Sequence, residues 1–478
     1  MSVGSTFAGI HGAYSGLTAA QMQLNVTGQN IENASSTGYV RQRAEQQAVG
    51  APAKVGLSGI GMQAGQGTAI TGISNLSNVF LDTQVRSAAA SNGYATSRAS
   101  GYSTVEDALG EPKDTAISSQ LQKFWAAWSD VSNQPGTDAP VGSLLAQAQT
   151  VVAQIADKYQ AMQAGWAGTR TSATTQADQL NALTKQVGDL NSLIRSTVAT
   201  GNNANEMVNQ RAAVVQQISA LTGGTVTQNA DSTISIAIGG SNIVDGTLVR
   251  QVTVVGANTL EDAGSNPVQL VWADKPSVPL SLPSGSIAGD LTVLSAANPA
   301  GTGGPYAEAA AQLNALATNL ATQVNEVASA GITPTGQTGL NFFAQSGTGP
   351  AALGLSVIPT SGAQVPTGAV GAGTNDGSIA DKISHLGATS TSPDASWATF
   401  VVTLGVQSQV SGQQQTLTTA SLATAVTSQQ SQEGVDLDEE SVNLLQAQHA
   451  YQGAARVLTA MDQLLDQLIN HTGTVGMA

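Results

Sequence analysis

The chain has 478 residues, enough to bury a core and to divide into roughly two to four domains. Only 10% of residues are charged, and thirty-one acidic residues outweigh sixteen basic ones for a net charge of −15. That balance excludes a basic face for nucleic acid, and the absence of cysteine excludes disulfides and thiolate metal sites.

The first helix is expected early. Phe7, Ile10, Tyr14, Leu17, Gln21, Leu24, Gly28 and Ile31 alternate in steps of three and four, the seam of a helix packed lengthwise on a partner, with Ala13 and Ala20 widening the stripe. It ends in NIENASSTGYVRQRAE, residues 30–45, where Gly38 can take a positive φ as the chain leaves the helix. Asn30 and Asn33 can bond the last helical carbonyls or the following turn. Tyr39 can wedge between the helix and the next layer, and Arg41 and Arg43 can anchor on a neighbour's carboxylates.

Residues 44–75, rich in Gly and Val, read as short strands or an extended arm. A helical stretch follows, then an amphipathic helix in ISSQLQKFWAAWSDVSNQ, stopped by Pro135 and Gly136, with Trp125 and Trp128 in its core face. From Pro140 to Thr200 breakers are scarce, which predicts one or two long helices, and NEMVNQRAAVVQQISALTGG adds another. At 225 the period changes to two, with turns at NADS, GG and DG, and strands are expected to about 283. Helix returns at 309–331 and again at 395–432, separated by a Gly/Pro/Thr-rich segment that contains GLNFFA and ALGLSVIP.

The last helix has the cleanest seam: Leu437, Glu440, Leu444, Ala447, Tyr451, Ala454, Leu458, Met461, Leu465 and Leu468. Asp438 is its expected N-cap, with Glu439 and Glu440 near the positive end of the dipole. Val442, Leu445, Val457, Leu464 and Ile469 make a second apolar face, so the two terminal helices should pair with each other and still need further partners.

SGLTAAQMQLNVTGQNIENASSTGYVRQ closely resembles the N-terminal segment of the bacterial flagellar axial proteins, the rod, hook and hook-associated proteins. Asn30, Asn33, Thr37, Gly38, Tyr39 and Arg41 occupy the positions of that family's motif. EGVDLDEESVNLLQAQHAYQGAARVLTAMDQLLDQLIN resembles its C-terminal segment, and residues 435–440 with GLNFFA are similar to the hook-associated members. The resemblance implies a structural subunit of the hook–filament junction, polymerising as a ring at the distal end of the hook. It implies as partners other copies, the hook protein, the second junction protein, and a cytosolic chaperone on the C-terminal helix before export. Export would run through the flagellar type III apparatus to the extracellular flagellum. The first residues, with no basic run or continuous apolar core, give no reason to expect a cleaved signal.

The expected fold is mainly α with an inserted antiparallel β domain, paired terminal heptad helices and a helical-bundle body. The expected units are a terminal domain (1–36 with 437–478), a helical body (37–222, 287–345 and 374–436), a removable β insert (223–286) and an irregular segment (346–373). The expected assembly seams are Phe7, Ile10, Tyr14, Leu17, Leu24 and Ile31 with Leu444, Tyr451, Leu458, Met461, Leu465 and Leu468.

No chemistry is signalled. His11, His385, His449 and His471 are scattered, and no HExxH, Walker A, nucleophile elbow or EF-hand spacing is present. No cofactor, metal, enzymatic activity or membrane insertion is expected. The alternatives are another axial protein, or an enzyme or adhesin carried by residues 225–375 on an axial scaffold.

Overall fold

The computed structural model describes residues 3–36, 38–50, 65–373 and 375–470. Thr37, His471 and most of the expected arm (51–64) lie outside the described residues, as does the side chain of Leu468. The helices are α1 (Val3–Glu32), α2 (Val79–Leu109), α3 (Ile117–Asn133), α4 (Asp138–Ala199), α5 (Asn205–Thr222), α6 (Ser286–Val293), α7 (Pro305–Ser329), the single turn α8 (Ala351–Gly354), α9 (Ser378–Ser384), α10 (Pro393–Glu433) and α11 (Leu437–Asn470). The fold is mainly helical with small antiparallel sheets.

Local chemistry sets the helix ends. Asn78 caps α2 by accepting the Phe80 amide at 3.0 Å, and Ser392 caps α10 by accepting the Ala395 amide at 3.0 Å. Pro305 and Pro393 begin α7 and α10, where the missing N–H costs nothing. The breaker-poor stretch after Pro140 forms one helix of 62 residues, about 93 Å at ~1.5 Å per residue.

Most strands pair with a neighbour in sequence. β1 (Gln42–Ala48) and β2 (Thr68–Asn75) form a hairpin that rests on α1. β3 (Thr225–Gln228), β4 (Ile234–Ile238), β5 (Ser241–Asp245) and β6 (Leu248–Val249) make one meander, and β7 (Val252–Val255), β8 (Gln269–Trp272) and β9 (Lys275–Pro279) a second. The expected turns hold positive-φ residues: Ser232 in NADS, Gly239 and Gly240 in GG, and Gly246 in DG. The minor pairs are β10 (Gly331–Ile332) with β13 (Gly368–Ala369), and β11 (Phe343–Gln345) with β12 (Leu355–Val357).

Two cores follow one another along α4. The first joins α2, α3, the N-terminal half of α4 and α7 around Phe124, Trp128, Phe342 and Phe343. Asn325 pins the Phe-Phe pair there, its Oδ1 accepting both backbone amides at 2.9 and 2.8 Å. The second core begins at Ala177 and packs Leu180 and Val187 of α4 and Val214 and Ile218 of α5 against Ile236, Val244, Leu270 and Trp272 of the two meanders. The meanders therefore share their core with the helices, because sheets of three and four short strands bury little surface alone. Asn191 of α4 adds a polar stitch, exchanging hydrogen bonds with the amide and carbonyl of Ile234 at 3.1 and 2.9 Å.

Candidate assembly site at the joined termini

α1 and α11 pack lengthwise on each other. On α11 the contact follows the expected seam: Glu440 and Ala447 are buried, and Leu444, Ala454, Leu458, Met461 and Leu465 are half-buried. Tyr451, on the same row, is 37% exposed.

On α1 the most buried row is the line of small residues, Ala13 and Ala20 among them, that widens the expected seam. Ala13, Ala20, Thr27 and Asn30 are buried, and the row continues through Gly9 and Gly16. Each position precedes an expected seam residue by one, a rotation of about 100°. A Cβ on Gly9 would stand 2.6 Å from Met461 Cε, and one on Gly16 would stand 3.9 Å from Ala454 Cβ. Small residues let the helices approach closely but carry little hydrophobic signal, so the larger residues beside them dominate the pattern in the sequence. Ile10, Leu17, Leu24 and Ile31 are half-buried beside the contact, while Phe7 and Tyr14 are 59% and 60% exposed.

The pair is fastened at one end by polar groups. Asn30 bonds like a strand partner to Gln42, Nδ2 donating to its carbonyl at 2.9 Å and Oδ1 accepting its amide at 3.0 Å. Nδ2 also donates to Glu440 Oε2 at 3.1 Å, and the Tyr39 hydroxyl donates to Asn30 Oδ1 at 2.9 Å. Burial, with Glu206 and Glu440 nearby, pushes the Tyr39 phenol up to about 12. Arg41 donates from Nε to Glu440 at 2.7 Å and forks onto both oxygens of Glu439 at 3.0 and 2.7 Å. The expected neighbour for Arg41 is thus its own C-terminal helix, and Arg43 pairs with Glu45 of its own strand at 2.8 Å.

Adjacent contacts tie in two more helices. The Arg41 amide donates to the Glu433 carbonyl at 2.9 Å, and the Glu433 carboxylate accepts the amide of Asn78, the α2 cap. Burial holds the Glu433 carboxyl above its usual range. Gly38 has φ +77°, and Asn33 Nδ2 donates to the Gln29 carbonyl at 3.0 Å, as a helix exit requires. The α11 N-cap is Asp436, whose Oδ1 accepts the amides of Asp438 and Glu439 at 2.9 and 3.2 Å; Asp438 itself lies inside the first turn.

This arrangement is a structural joint. Among the described residues no group of three or more His, Asp or Glu side chains could hold a metal ion, and no helix is long and apolar enough to cross a membrane.

A family model described as the flagellar hook-associated protein FlgK helical domain matches residues 102–343, half of the chain. The chain belongs to the flagellar hook-associated protein FlgK family. A second model, the C-terminal domain of the flagellar basal body rod FlgEFG proteins, matches residues 429–471, the segment that carries α11. The chain is 27% identical to flagellar hook-associated protein 1 of Bacillus subtilis (strain 168), over 99% of both chains. It is 25% identical to the protein of that name from Escherichia coli (strain K12), over 70% of this chain and 59% of that one. The solved flagellar hook junction protein FlgK from Burkholderia pseudomallei has the same fold, with a TM-score of 0.63 at 15% identity, covering 73% of this chain and all of that one. FlgK-family membership makes the chain a structural component of the flagellum at the hook–filament junction, and not an enzyme.

Proposed function

We propose that the chain assembles as a ring of copies at the distal end of the hook, with the α1–α11 pair as its assembly element. The ring meets the hook protein on one side and the second junction protein on the other, and a chaperone covers α11 before export. One observation carries this reading: the pair satisfies its polar joint within the chain yet leaves large apolar side chains uncovered. Phe7 and Tyr14 on α1, and Val442, Leu445, Val457 and Leu464 on α11, are all exposed. Such stripes on two paired helices call for neighbours. The expected seam residues would then serve between subunits: Phe7 and Tyr14 lie free of the α1–α11 contact, with Ile10, Leu17, Leu24 and Ile31 beside it. The terminal pair, the helical body and the meanders act as successive parts of one subunit.

The test is localisation. Labelled protein on isolated flagella should sit as a single band between hook and filament. Label spread along the filament, or confined to the basal body, would overturn the proposal.

A further inference from the structure

α10 is packed inside out. It packs on α2 and buries Trp397, Leu404, Ser411, Thr418 and Ala425, a strict seven-residue row that turns small and polar toward its C-terminal half. Ser411 and Thr418 are 5% and 8% exposed, whereas Val402, Val406, Val410 and Leu417 are 67%, 55%, 58% and 65% exposed. At about 100° per residue these four share an arc of about 80° on the side away from the buried row. A helix that covers serine and threonine and uncovers three valines and a leucine has the wrong pattern for a solvent face.

The charge pattern indicates what covers it. From Ala395 to Gln432 there is no charged residue and no histidine, in a chain whose net charge is −15. Two copies of so acidic a chain repel wherever their charged faces meet, so a contact between copies is cheapest where charge is missing. Past the C-terminal end of the stripe, an open groove of about 440 Å³ runs between α2 and α10, lined by Phe80, Thr83, Ser87, Ser91, Thr418 and Ser421, all uncharged. A stripe on one copy and a groove on the next make a head-to-tail contact, the type that forms a ring when its rotation closes.

We infer that the Val402–Leu417 stripe of one subunit seats in the α2–α10 groove of a second copy of this chain. This rests on the ring reading and assigns it a contact apart from the terminal pair. The absence of native cysteine makes the test clean. Cells carrying both Val406→Cys and Ser87→Cys subunits are treated with a short bismaleimide, and their flagella are isolated. A product joining one subunit of each kind is expected, with none from cells carrying either variant alone. In parallel, Val406→Asp should keep the helicity and melting of the parent while its flagellum-bound amount falls by about ten-fold or more. A Val406→Cys homodimer, a conjugate to any other flagellar protein, or normal retention of Val406→Asp would overturn the inference. Normal retention with the parent still banded at the hook end sinks this contact alone; a parent absent from that band sinks the ring reading as well.

Discussion

Asn30 and Glu440 lie 410 residues apart in the chain and are joined by a hydrogen bond of 3.1 Å. Both are buried, and each has further partners from the segment between Tyr39 and Gln42. The two ends of the molecule are thus locked to the same short stretch of backbone.

Removing Arg41 should release that lock. The Glu440 side chain is 2% exposed, and Arg41→Met leaves its charge without a cation. The expected cost is about 3 kcal/mol, near the lower end for a broken buried pair because the Arg41 side chain is 19% exposed. Hydrogen exchange of α11 in the free subunit reports it. In the parent, protection should be strongest near Glu440 and fade toward Met461; in Arg41→Met the protection near Glu440 should be lost. Unchanged protection would mean that the apolar seam alone holds α11.

Tyr39 gives the joint an alkaline limit. Its phenol titrates at about 12 in the folded chain against 10.0 for a free tyrosine. The folded pKa is the higher one, so its stabilising contribution is complete below pH 10 and is lost as pH rises through 12. Tyr39→Phe should flatten the alkaline stability loss between pH 10 and 12 while lowering stability at neutral pH through the lost bond to Asn30. A parent-like alkaline profile in Tyr39→Phe would assign the loss to other groups.

Adjacent positions on α11 should separate folding of the pair from assembly. Leu458 is half-buried on the row facing α1, whereas Val457 is 48% exposed. Leu458→Asp should loosen the pair in the free subunit, at a cost of several kcal/mol if the carboxylate stays buried. Val457→Asp should leave the free subunit intact and reduce incorporation into flagella. Equal effects of the two on free-subunit helicity would show that Val457 is covered within the chain.

Deleting residues 225–283 should damage the helical body. The sequence presents the strands as a removable insert, but Leu180, Val187, Val214 and Ile218 pack directly on them. Uncovering four large aliphatic side chains costs about 1.5–3 kcal/mol each. The deletion should melt at lower temperature and lose helicity around α5, as circular dichroism would show; an unchanged melting curve would mean that α4 and α5 close over the gap.

Legibility in the sequence tracked side-chain size. The period-two stretch after 225, the helix around Phe124 and Trp128, and the α11 seam were all readable because large apolar residues mark their faces. On α1 only part of the closest row is legible: Ala13 and Ala20 widen the apolar stripe, while Gly9 and Gly16 pack closely and contribute almost no hydrophobic signal. The partner of Arg41 was invisible locally, being 398 and 399 residues away. One signal could have found it: in a chain so poor in charge, the acidic triplet heading α11 is the natural counterpart of the first arginine. The shared core of strands and helices left no trace in either pattern, since both α4 and β4 show an ordinary buried face whatever lies opposite.

The unbroken run of α4 through both cores has a mechanical consequence. Load applied at the meanders reaches the aromatic core along a single rod, without crossing a loop that could bend. Twist imposed at one end must be carried by about seventeen consecutive helical turns or by slippage of the cores around them. One core gives way to the next between Ala173 and Ala177 of that rod. A proline placed there would convert a shaft into a joint.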